Sequence, residues 1–487
     1  MCSETKPPHA IMICYPLQGH INPFINLAMK LASNGFTITF VHTEYVHQQI
    51  TKAQSEETTD DQVDIFCEAR KSGLDIKYTT LSDGLPLDFN RSLNFYQYLE
   101  SVHNDFPSVV DEFVGNLIDS GHSCSSSETF LIADTFQSWP GTVSRKYNLV
   151  YVSLWTQPAS IFTLYYHLDL LKEHGHVPFR GDHDEIISCI PGMKPTKMKD
   201  LMSFIRHPDL SPIMQLVHKI VFQAFEDVKK ANFILYNTME ELEPEILSAL
   251  NKKQPGFAIG PLCSTDFTNN LVSRSLWSES DCTQWLGSKN KGSVLYVSFG
   301  SLAQLDEHVF VEIAHGLLLS EMNFIWVLRP GIVKSENDIA SLYTKLANDS
   351  EGRGLMVPWC RQNDVLSHHA IGGFLTHCGW NSILESMWWG VPMICSPFFG
   401  DQLTNRKLVV DDLKIGINLC DGEVITREEV AEKIKHLMTE KSCDGLFKEV
   451  QQVKKILVDA MSENGSSQEN IQLFIKDLKD EMHKRCQ

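Results

Sequence analysis

The chain alternates short runs of β-branched and aliphatic residues with longer segments of helical periodicity, and no other feature constrains its fold as much. Ala10–Tyr15 and Phe36–His42 are such runs, and apolar residues recur at helical spacing between Asn22 and Gly35. A strand, a helix and a second strand in this order form a unit whose two strands are parallel. The sequence therefore predicts an α/β protein built on doubly wound parallel sheets.

The same alternation starts again in the second half of the chain. Ser293–Phe299 and Phe324–Leu328 are predicted strands that flank a helix, and the polar stretch Cys263–Asp281 separates this series from the first. A chain of 487 residues has the length of two or three domains. We expect one domain at residues 1–255, a second at 256–460, and a helical segment at 461–487 that packs on the first domain.

Charge and composition exclude several classes of partner. The chain has 61 acidic and 42 basic residues, and a net charge of −19 repels nucleic acid and anionic lipid. Its apolar stretches are too short, or too interrupted by Pro and Gly, to span a bilayer. The 13 cysteines are scattered without zinc-like spacing, which indicates reduced thiols. We expect a cytoplasmic monomer that binds no nucleic acid and does not insert into a membrane.

Ligands of doubly wound sheets bind beyond the carboxyl ends of the strands, and the segment from His377 to Ser382 occupies such a position. Gly379 permits close backbone approach, and the next residues begin a helix whose free amides can bind an anion. Glu385, one turn later, could accept hydrogen bonds from two ribose hydroxyls. On these residues alone, a capped helix with a core histidine is an equal alternative.

Two further strand ends extend this constellation. Trp359 and Gln362 offer an aromatic plane and an amide, which suit the stacking and pairing of a base. Asp401 and Gln402 offer a carboxylate and an amide, a combination suited to adjacent sugar hydroxyls. The segment from Trp359 to Gln402 could thus bind a base, a ribose, a diphosphate and a sugar in order.

His20 and Asp134 are candidates for proton transfer. His20 follows the first predicted strand, and an imidazole titrates near neutrality, as a general base must. Asp134 ends the predicted strand Phe130–Ala133, and its carboxylate could fix the tautomer of the imidazole. A helix-capping histidine and an unrelated aspartate remain the alternative on the residues alone.

Taken together, these motifs are similar to the signature box of the plant family 1 UDP-sugar glycosyltransferases. The similarity extends to Gln18–Pro23, Tyr296–Ser301 and Gly465–Asn470. It implies a GT-B architecture, in which two Rossmann-like domains face each other across a cleft. It also implies an inverting transfer of glucose from UDP-glucose to a hydroxyl or carboxyl group of a small lipophilic plant metabolite.

The resemblance assigns a role to each motif residue. His20 would be the general base, oriented by Asp134. The residues implied to bind the donor are Ser301, Trp359, Gln362, His377, Trp380, Asn381, Ser382, Glu385, Asp401, Gln402 and Thr156. UDP-glucose would be a co-substrate, with no cofactor and no metal ion. Arg361 departs from the family pattern, which usually has a small residue or proline beside the uridine contact.

The acceptor is left open between a terpenoid and a phenolic or flavonoid. The residues predicted to line its pocket are Phe136, Trp139, Phe162, Tyr165, Tyr166, Phe204, Phe398 and Phe399, although ordinary core packing explains each of them, taken singly, better than a pocket role does. Another UDP-sugar donor, a non-catalytic UDP-sugar-binding protein and a two-domain epimerase are the alternative functions. Asp182-His183-Asp184 has the Asp-x-Asp form of some metal-dependent transferases, but we expect a solvated loop there.

Overall fold

The computed structural model describes residues 7–54, 64–119, 128–177, 179, 181–206, 211–263, 272, 275–334, 339–422, 424–439 and 444–485. The chain forms two compact units. The first comprises Met1–Met198, Phe204–Leu276 and Ala460–Gln487, and the second comprises Lys199–Ser203 and Trp277–Asp459. The first unit extends past the predicted boundary at residue 255, because Gly256–Ala258 forms the edge strand of its sheet.

The first unit contains a seven-stranded parallel sheet. The strands of this unit, in chain order, are β1 (His9–Ile13), β2 (Thr37–Thr43), β3 (Ile76–Leu81), β4 (Thr129–Asp134), β5 (Val150–Trp155), β6 (Ile186–Ile187), β7 (Thr196–Lys197), β8 (Phe233–Tyr236) and β9 (Gly256–Ala258). Strands β6 and β7 form a separate antiparallel pair, and the large sheet has the order β3-β2-β1-β4-β5-β8-β9. The strand order reverses between β1 and β4, which makes this the topological switch point.

The second unit contains a six-stranded parallel sheet. Its strands are β10 (Val294–Ser298), β11 (Leu305–Asp306), β12 (Asn323–Val327), β13 (Val333–Lys334), β14 (Gly354–Val357), β15 (Ile371–Thr376), β16 (Met393–Cys395) and β17 (Gly416–Asn418). Strands β11 and β13 pair separately, and the large sheet has the order β14-β12-β10-β15-β16-β17. Its switch point lies between β10 and β15. The predicted α/β class with two doubly wound sheets is confirmed.

Helices connect the parallel strands. In chain order they are Gln18–Ser33, Glu44–Gln54, Cys67–Lys71, Phe95–Asn104, Phe106–Asp119, Pro140–Lys146, Ala159–Tyr166, Leu168–Glu173, Met198–Asp200, Ser203–Arg206, Pro212–Val228, Pro244–Asn251, Thr283–Gly287, Glu307–Ser320, Ile339–Asp349, Gln362–Ser367, Trp380–Trp389, Gln402–Lys407, Leu408–Asp412, Arg427–Thr439, Asp444–Met461 and Ser466–Arg485. Within the described parts of the chain, no helix has the length and apolar character needed to cross a membrane.

The first helix begins earlier than its sequence predicts. We expected it to start at Asn22 and Pro23, with His20 in the preceding loop, but the Leu17 carbonyl accepts from the amides of both His20 and Ile21. The helix therefore starts at Gln18, and His20 lies in its first turn. Its end agrees with the expectation, because Gly35 adopts a φ of +82° immediately after the C-cap residue Asn34.

Both faces of the first sheet are buried, as parallel sheets require. Alternate residues of β1 face opposite sides: Ala10 and Met12 belong to one core cluster, and Ile11 and Ile13 belong to another. The C-terminal helix Ser466–Arg485 completes the first of these clusters. Its Phe474 packs edge-on against Phe233, with ring centroids 5.9 Å apart, and has no exposed surface.

We expect the substitution Phe474→Ala to lower the free energy of unfolding of the first unit by about 3–5 kcal/mol, because it leaves a cavity in this aromatic cluster. Leu473→Ala is the matched control, since Leu473 lies on the same helix and is 50% exposed. Urea denaturation of both variants measures the difference. Equal midpoints for the two variants would contradict the packing role of the C-terminal helix.

Candidate functional site

The switch point of the first sheet brings His20 and Asp134 together. Strands β1 and β4 are neighbours in register, so the helix that follows β1 begins beside the end of β4. His20 Nδ1 lies 2.7 Å from Asp134 Oδ2, and the two residues are 9% and 1% exposed. The two candidates for proton transfer therefore form a buried hydrogen-bonded pair.

The contacts of this pair determine which ring nitrogen is basic. An ionised carboxylate only accepts hydrogen bonds, so the proton of the neutral imidazole lies on Nδ1 and the lone pair lies on Nε2. The backbone amide of Phe136 donates to Asp134 Oδ1 at 2.9 Å and fixes the carboxylate. Thr156 Oγ1 lies 3.2 Å from His20 Nδ1. Thr156, which the resemblance assigned to the donor, therefore lies beside His20.

The surface around His20 is apolar. The rings of Tyr15 and Phe136 each lie 5.4 Å from the imidazole. Tyr15 is a buried member of one hydrophobic cluster. The half-buried residues that pack against this cluster are Leu17, Leu85, Phe95, Phe136, Ile213 and Val217. Except for Phe136, sequence reasoning missed these residues, because isolated apolar side chains belong to no motif.

Three of the residues predicted to line the acceptor pocket are buried. Phe162 has no exposed surface and is enclosed by Trp155, Phe225 and Tyr236. Tyr165 is buried against Trp155 and Phe225. Trp139 is buried in the cluster that contains Ile11 and Ile13. Phe162 has no exposed surface to offer a ligand, so ordinary core packing explains it, whereas Tyr165 and Trp139 each keep 6% of their surface exposed.

The other predicted pocket residues are more accessible. Tyr166 and Phe204, in the first unit, are half-buried, and Tyr166 stacks on Phe162. Phe398 and Phe399 lie in the second unit, where Phe398 packs edge-on against Phe299 and Phe399 is 36% exposed.

The switch point of the second sheet encloses His377. Gly300 follows β10 with a φ of +70°, and Cys378 follows β15 with a φ of +66°. A Cβ atom added at Gly300 or at Gly379 would approach His377 Nε2 more closely than 3.0 Å. The backbones of the two loops therefore close on the imidazole, which only glycine at these two positions permits.

A buried cation supports the same loops. Arg329 is 6% exposed and donates from Nε to the Gly300 carbonyl at 3.1 Å, and from Nη2 to the Ala303 carbonyl. It thereby holds the turn that carries Ser301. Sequence reasoning missed Arg329, because the motif pattern does not include it, although it directly follows a buried strand.

His377 is neutral in this environment. Burial lowers the pKa of its imidazole from 6.5 to about 4; the backbone of Ser298 opposes this shift, and the charge of Arg329 adds to it. The helix Trp380–Trp389 begins three residues later with Gly379 as its N-cap, so Asn381 and Ser382 lie in its first turn, at the helix end whose dipole attracts anions.

Gln362, Ser382 and Glu385 form one polar cluster. The Gln362 amide Nε2 donates to Ser382 Oγ at 2.9 Å and to Glu385 Oε2 at 2.6 Å. The Gln362 oxygen accepts from the Tyr296 hydroxyl at 3.3 Å. These residues, predicted for the uridine end of a donor, are thus held within reach of one another, next to the half-buried Trp359.

Asp401 and Gln402 are also held in place. The amide of the buried Asn405 donates to Asp401 Oδ2 at 2.6 Å and to the Cys378 carbonyl at 3.0 Å. Gln402 Oε1 accepts from the backbone amide of Phe398 at 2.8 Å, so only the NH₂ group of Gln402 is left to address a ligand. Trp380 is buried at the start of its helix.

Two other sequence features have structural accounts. Asp184 lies in an exposed polar loop and pairs with Lys197 at 3.0 Å, as expected of a solvated segment. Among the residues that the structure describes, no group of three or more His, Cys, Asp or Glu side chains is arranged to hold a metal ion. Arg361 forms an ion pair with Glu279, with Nε 2.8 Å from Oε2.

Comparisons with known proteins agree with these features. Residues 213–453 match the family model described as UDP-glucoronosyl and UDP-glucosyl transferase. UDP-glycosyltransferase 86A1 of Arabidopsis thaliana is 50% identical over 479 residues, which cover 98% of this chain and 96% of that protein. The 7-deoxyloganetin glucosyltransferase of Catharanthus roseus is 33% identical, with 98% of this chain and 97% of that protein covered.

A solved structure shares the fold. The UDP-glucose: anthocyanidin 3-O-glucosyltransferase in complex with UDP superimposes with a TM-score of 0.81 at 23% identity, covering 98% of this chain and 100% of that one.

The neutral state of His377 predicts a pH-dependent stability. The pKa of His377 is about 4 in the folded state and 6.5 in the unfolded state. Between these pH values the unfolded state binds more protons, so the free energy of unfolding decreases as the pH falls from 6.5 to 4. We expect His377→Asn to reduce this loss in the second unit by roughly 1–3 kcal/mol. Urea denaturation at several pH values measures it, and equal pH slopes for variant and wild type would contradict the assignment.

Proposed function

The chain belongs to the plant family 1 UDP-glycosyltransferases, and on that premise we propose that it transfers glucose from UDP-glucose to a hydroxyl group of a small lipophilic plant metabolite, with inversion at the anomeric carbon. The observation that carries this proposal is the 2.7 Å hydrogen bond between His20 and Asp134 at the switch point of the first sheet. This pair has the composition and geometry of a general base with its orienting carboxylate.

We propose that His20 Nε2 removes the proton of the acceptor hydroxyl. The Nδ1–H group stays hydrogen-bonded to Asp134, whose negative charge stabilises the imidazolium that forms. The acceptor oxygen then forms a bond to the sugar C1 from the side opposite UDP, as the bond from C1 to the diphosphate oxygen breaks. The products are a β-glucoside and UDP, and the proton leaves His20 for solvent. Thr156 Oγ1, 3.2 Å from Nδ1, helps to hold the ring.

We propose that the second unit binds the donor. The N-terminus of Trp380–Trp389, together with His377 and Ser301, would stabilise the charge that develops on the leaving diphosphate. The buried charge of Arg329, at the Ser301 loop, adds to the positive potential. With these groups in place, the reaction would need no metal ion and no cofactor.

The remaining donor contacts follow from the same proposal. Trp359 would stack on uracil, with Gln362 beside it, and Glu385 would accept hydrogen bonds from the ribose. Trp380, Asp401 and Gln402 would line the sugar. The free NH₂ group of Gln402 can donate to a sugar hydroxyl, because its oxygen already accepts from the Phe398 amide.

We propose a neutral, apolar acceptor. Tyr15 and Phe136, which adjoin His20, belong to a cluster whose half-buried side chains are aliphatic or aromatic, and a charged acceptor would lose its hydration there without gaining a partner. The Catharanthus roseus relative is named for glucosylation of 7-deoxyloganetin, which supports a lipophilic alcohol as the class. Terpenoid and phenolic alcohols both meet this description. The acidic net charge and scattered thiols support a cytoplasmic monomer.

Mass spectrometry after incubation with UDP-glucose and a pool of plant aglycones tests this function. We expect a product heavier than its aglycone by one glucosyl group. We also expect His20→Ala to lower turnover by about 10²–10⁴-fold while UDP binding is retained, because a positioned base is lost and the donor residues are untouched. Full activity of this variant would refute the base, and UDP binding without any transfer would support a non-catalytic binding protein.

We expect Gly379→Ala to weaken the binding of UDP-glucose, because the new methyl group displaces His377. Gly287→Ala is the matched control in the same unit, since a Cβ atom there meets nothing within 4 Å. Calorimetric titration with UDP measures the affinity of both variants. We expect about a 10-fold loss of affinity for Gly379→Ala alone, which corresponds to about 1.4 kcal/mol of binding free energy. Equal affinities would show that the position of His377 does not matter for the donor.

A further inference from the structure

Trp277 stacks on Trp359. The two ring centroids lie 4.5 Å apart and the ring planes are inclined by 30°. From this geometry we infer that Trp277 is a positioning residue of the nucleobase site: it covers one face of the Trp359 indole and holds the ring so that uracil stacks on the opposite face. The inference rests on the proposed function, because it takes Trp359 as the residue that stacks on the base.

The segment that carries Trp277 is fastened to the segment that carries Trp359. The backbone amide of Ser280 donates to the Trp359 carbonyl at 2.9 Å. The Glu279 carboxylate accepts from Arg361 Nε at 2.8 Å. The residues that follow Trp277 are therefore hydrogen-bonded to Trp359 and Arg361 through both backbone and side chain. The position of Trp277 does not depend on the contact between the two rings alone.

These contacts also account for Arg361. The family pattern has a small residue or proline at this position, neither of which could pair with Glu279. The guanidinium is more than half exposed, so the pair adds little stability in water. Its consequence is geometric: it joins the Glu279 segment to the residue between Trp359 and Gln362.

Stacking of this kind improves binding by preorganisation. An indole ring with both faces free can rotate about its side-chain torsions, and a base that stacks on it must first restrict that motion. With one face of Trp359 covered by Trp277, the ring is ordered before the base arrives. An aromatic pair contributes an amount that corresponds to about 2–10-fold in affinity.

The variants Trp277→Ala and Trp277→Phe test the inference in the full-length chain. We expect Trp277→Ala to raise the Kd for UDP and the KM for UDP-glucose by about 3–10-fold with kcat unchanged. Trp277→Phe should restore most of the affinity, because phenylalanine retains a stacking face. Trp285→Phe is the matched control, since Trp285 lies in the same region of the chain and contacts Lys289.

Far-ultraviolet circular dichroism supplies a second readout that does not require the alanine variant to fold. Two stacked indoles give an exciton couplet, which Trp277→Phe should remove and Trp285→Phe should retain. Addition of UDP to the wild-type protein should leave the couplet in place. Loss of the couplet on addition of UDP would mean that the base enters between the rings, and this would overturn the inference.

The other outcomes are also decisive. Unchanged or tighter UDP binding by Trp277→Ala with an intact fold would overturn the positioning role while leaving the proposed function in place. A wild-type protein that fails to bind UDP would refute the proposed function itself. The two failures are therefore distinguishable.

Discussion

The reversal of strand order in each parallel sheet is the constraint on which the candidate chemistry depends. At a switch point, the connections from two adjacent strands leave toward opposite faces of the sheet, so the two carboxyl ends open side by side. In the first sheet this places the start of the Gln18–Ser33 helix beside Asp134. In the second sheet it places the Gly300 turn beside the His377 loop. In both units the candidate residues that follow the two switch-point strands are adjacent because those strands are neighbours in the sheet.

The proposed diphosphate site at the second switch point would have to act against the acidic charge of the protein. The chain carries a net charge of −19, which acts over its whole surface. Arg329 is nearly fully buried and His377 is neutral, and both contact the turn that contains Gly300. Fixed dipoles and one buried cation act at short range, where solvent screens them little, so local geometry outweighs net charge.

The sequence predicted those parts of the fold and site that follow from local rules. Hydrophobic periodicity located the strands, and the strand-end rule selected His20, Asp134, His377 and Asp401 without knowledge of the contacts. It could not predict that Thr156 adjoins His20 or that Arg329 holds the Ser301 turn, because these contacts join strands that are distant in sequence. The aromatic residues show the same limit. Phe136 and Phe162 have equal hydrophobicity, and only the packing of helices on the sheet leaves one half-exposed and buries the other.

The return of the C-terminal helix to the first unit has a consequence for synthesis. The ribosome completes the sheet strands of this unit by Ala258, but Phe474 arrives only after the whole of Trp277–Asp459 has been made. The second unit is continuous from Trp277 to Asp459 apart from the short segment Lys199–Ser203, so its core is complete while that of the first still lacks a face. Folding during translation therefore runs against chain order: the unit made later can close first, and the nascent N-terminal sheet has an exposed apolar patch that chaperones can bind until the last helix emerges.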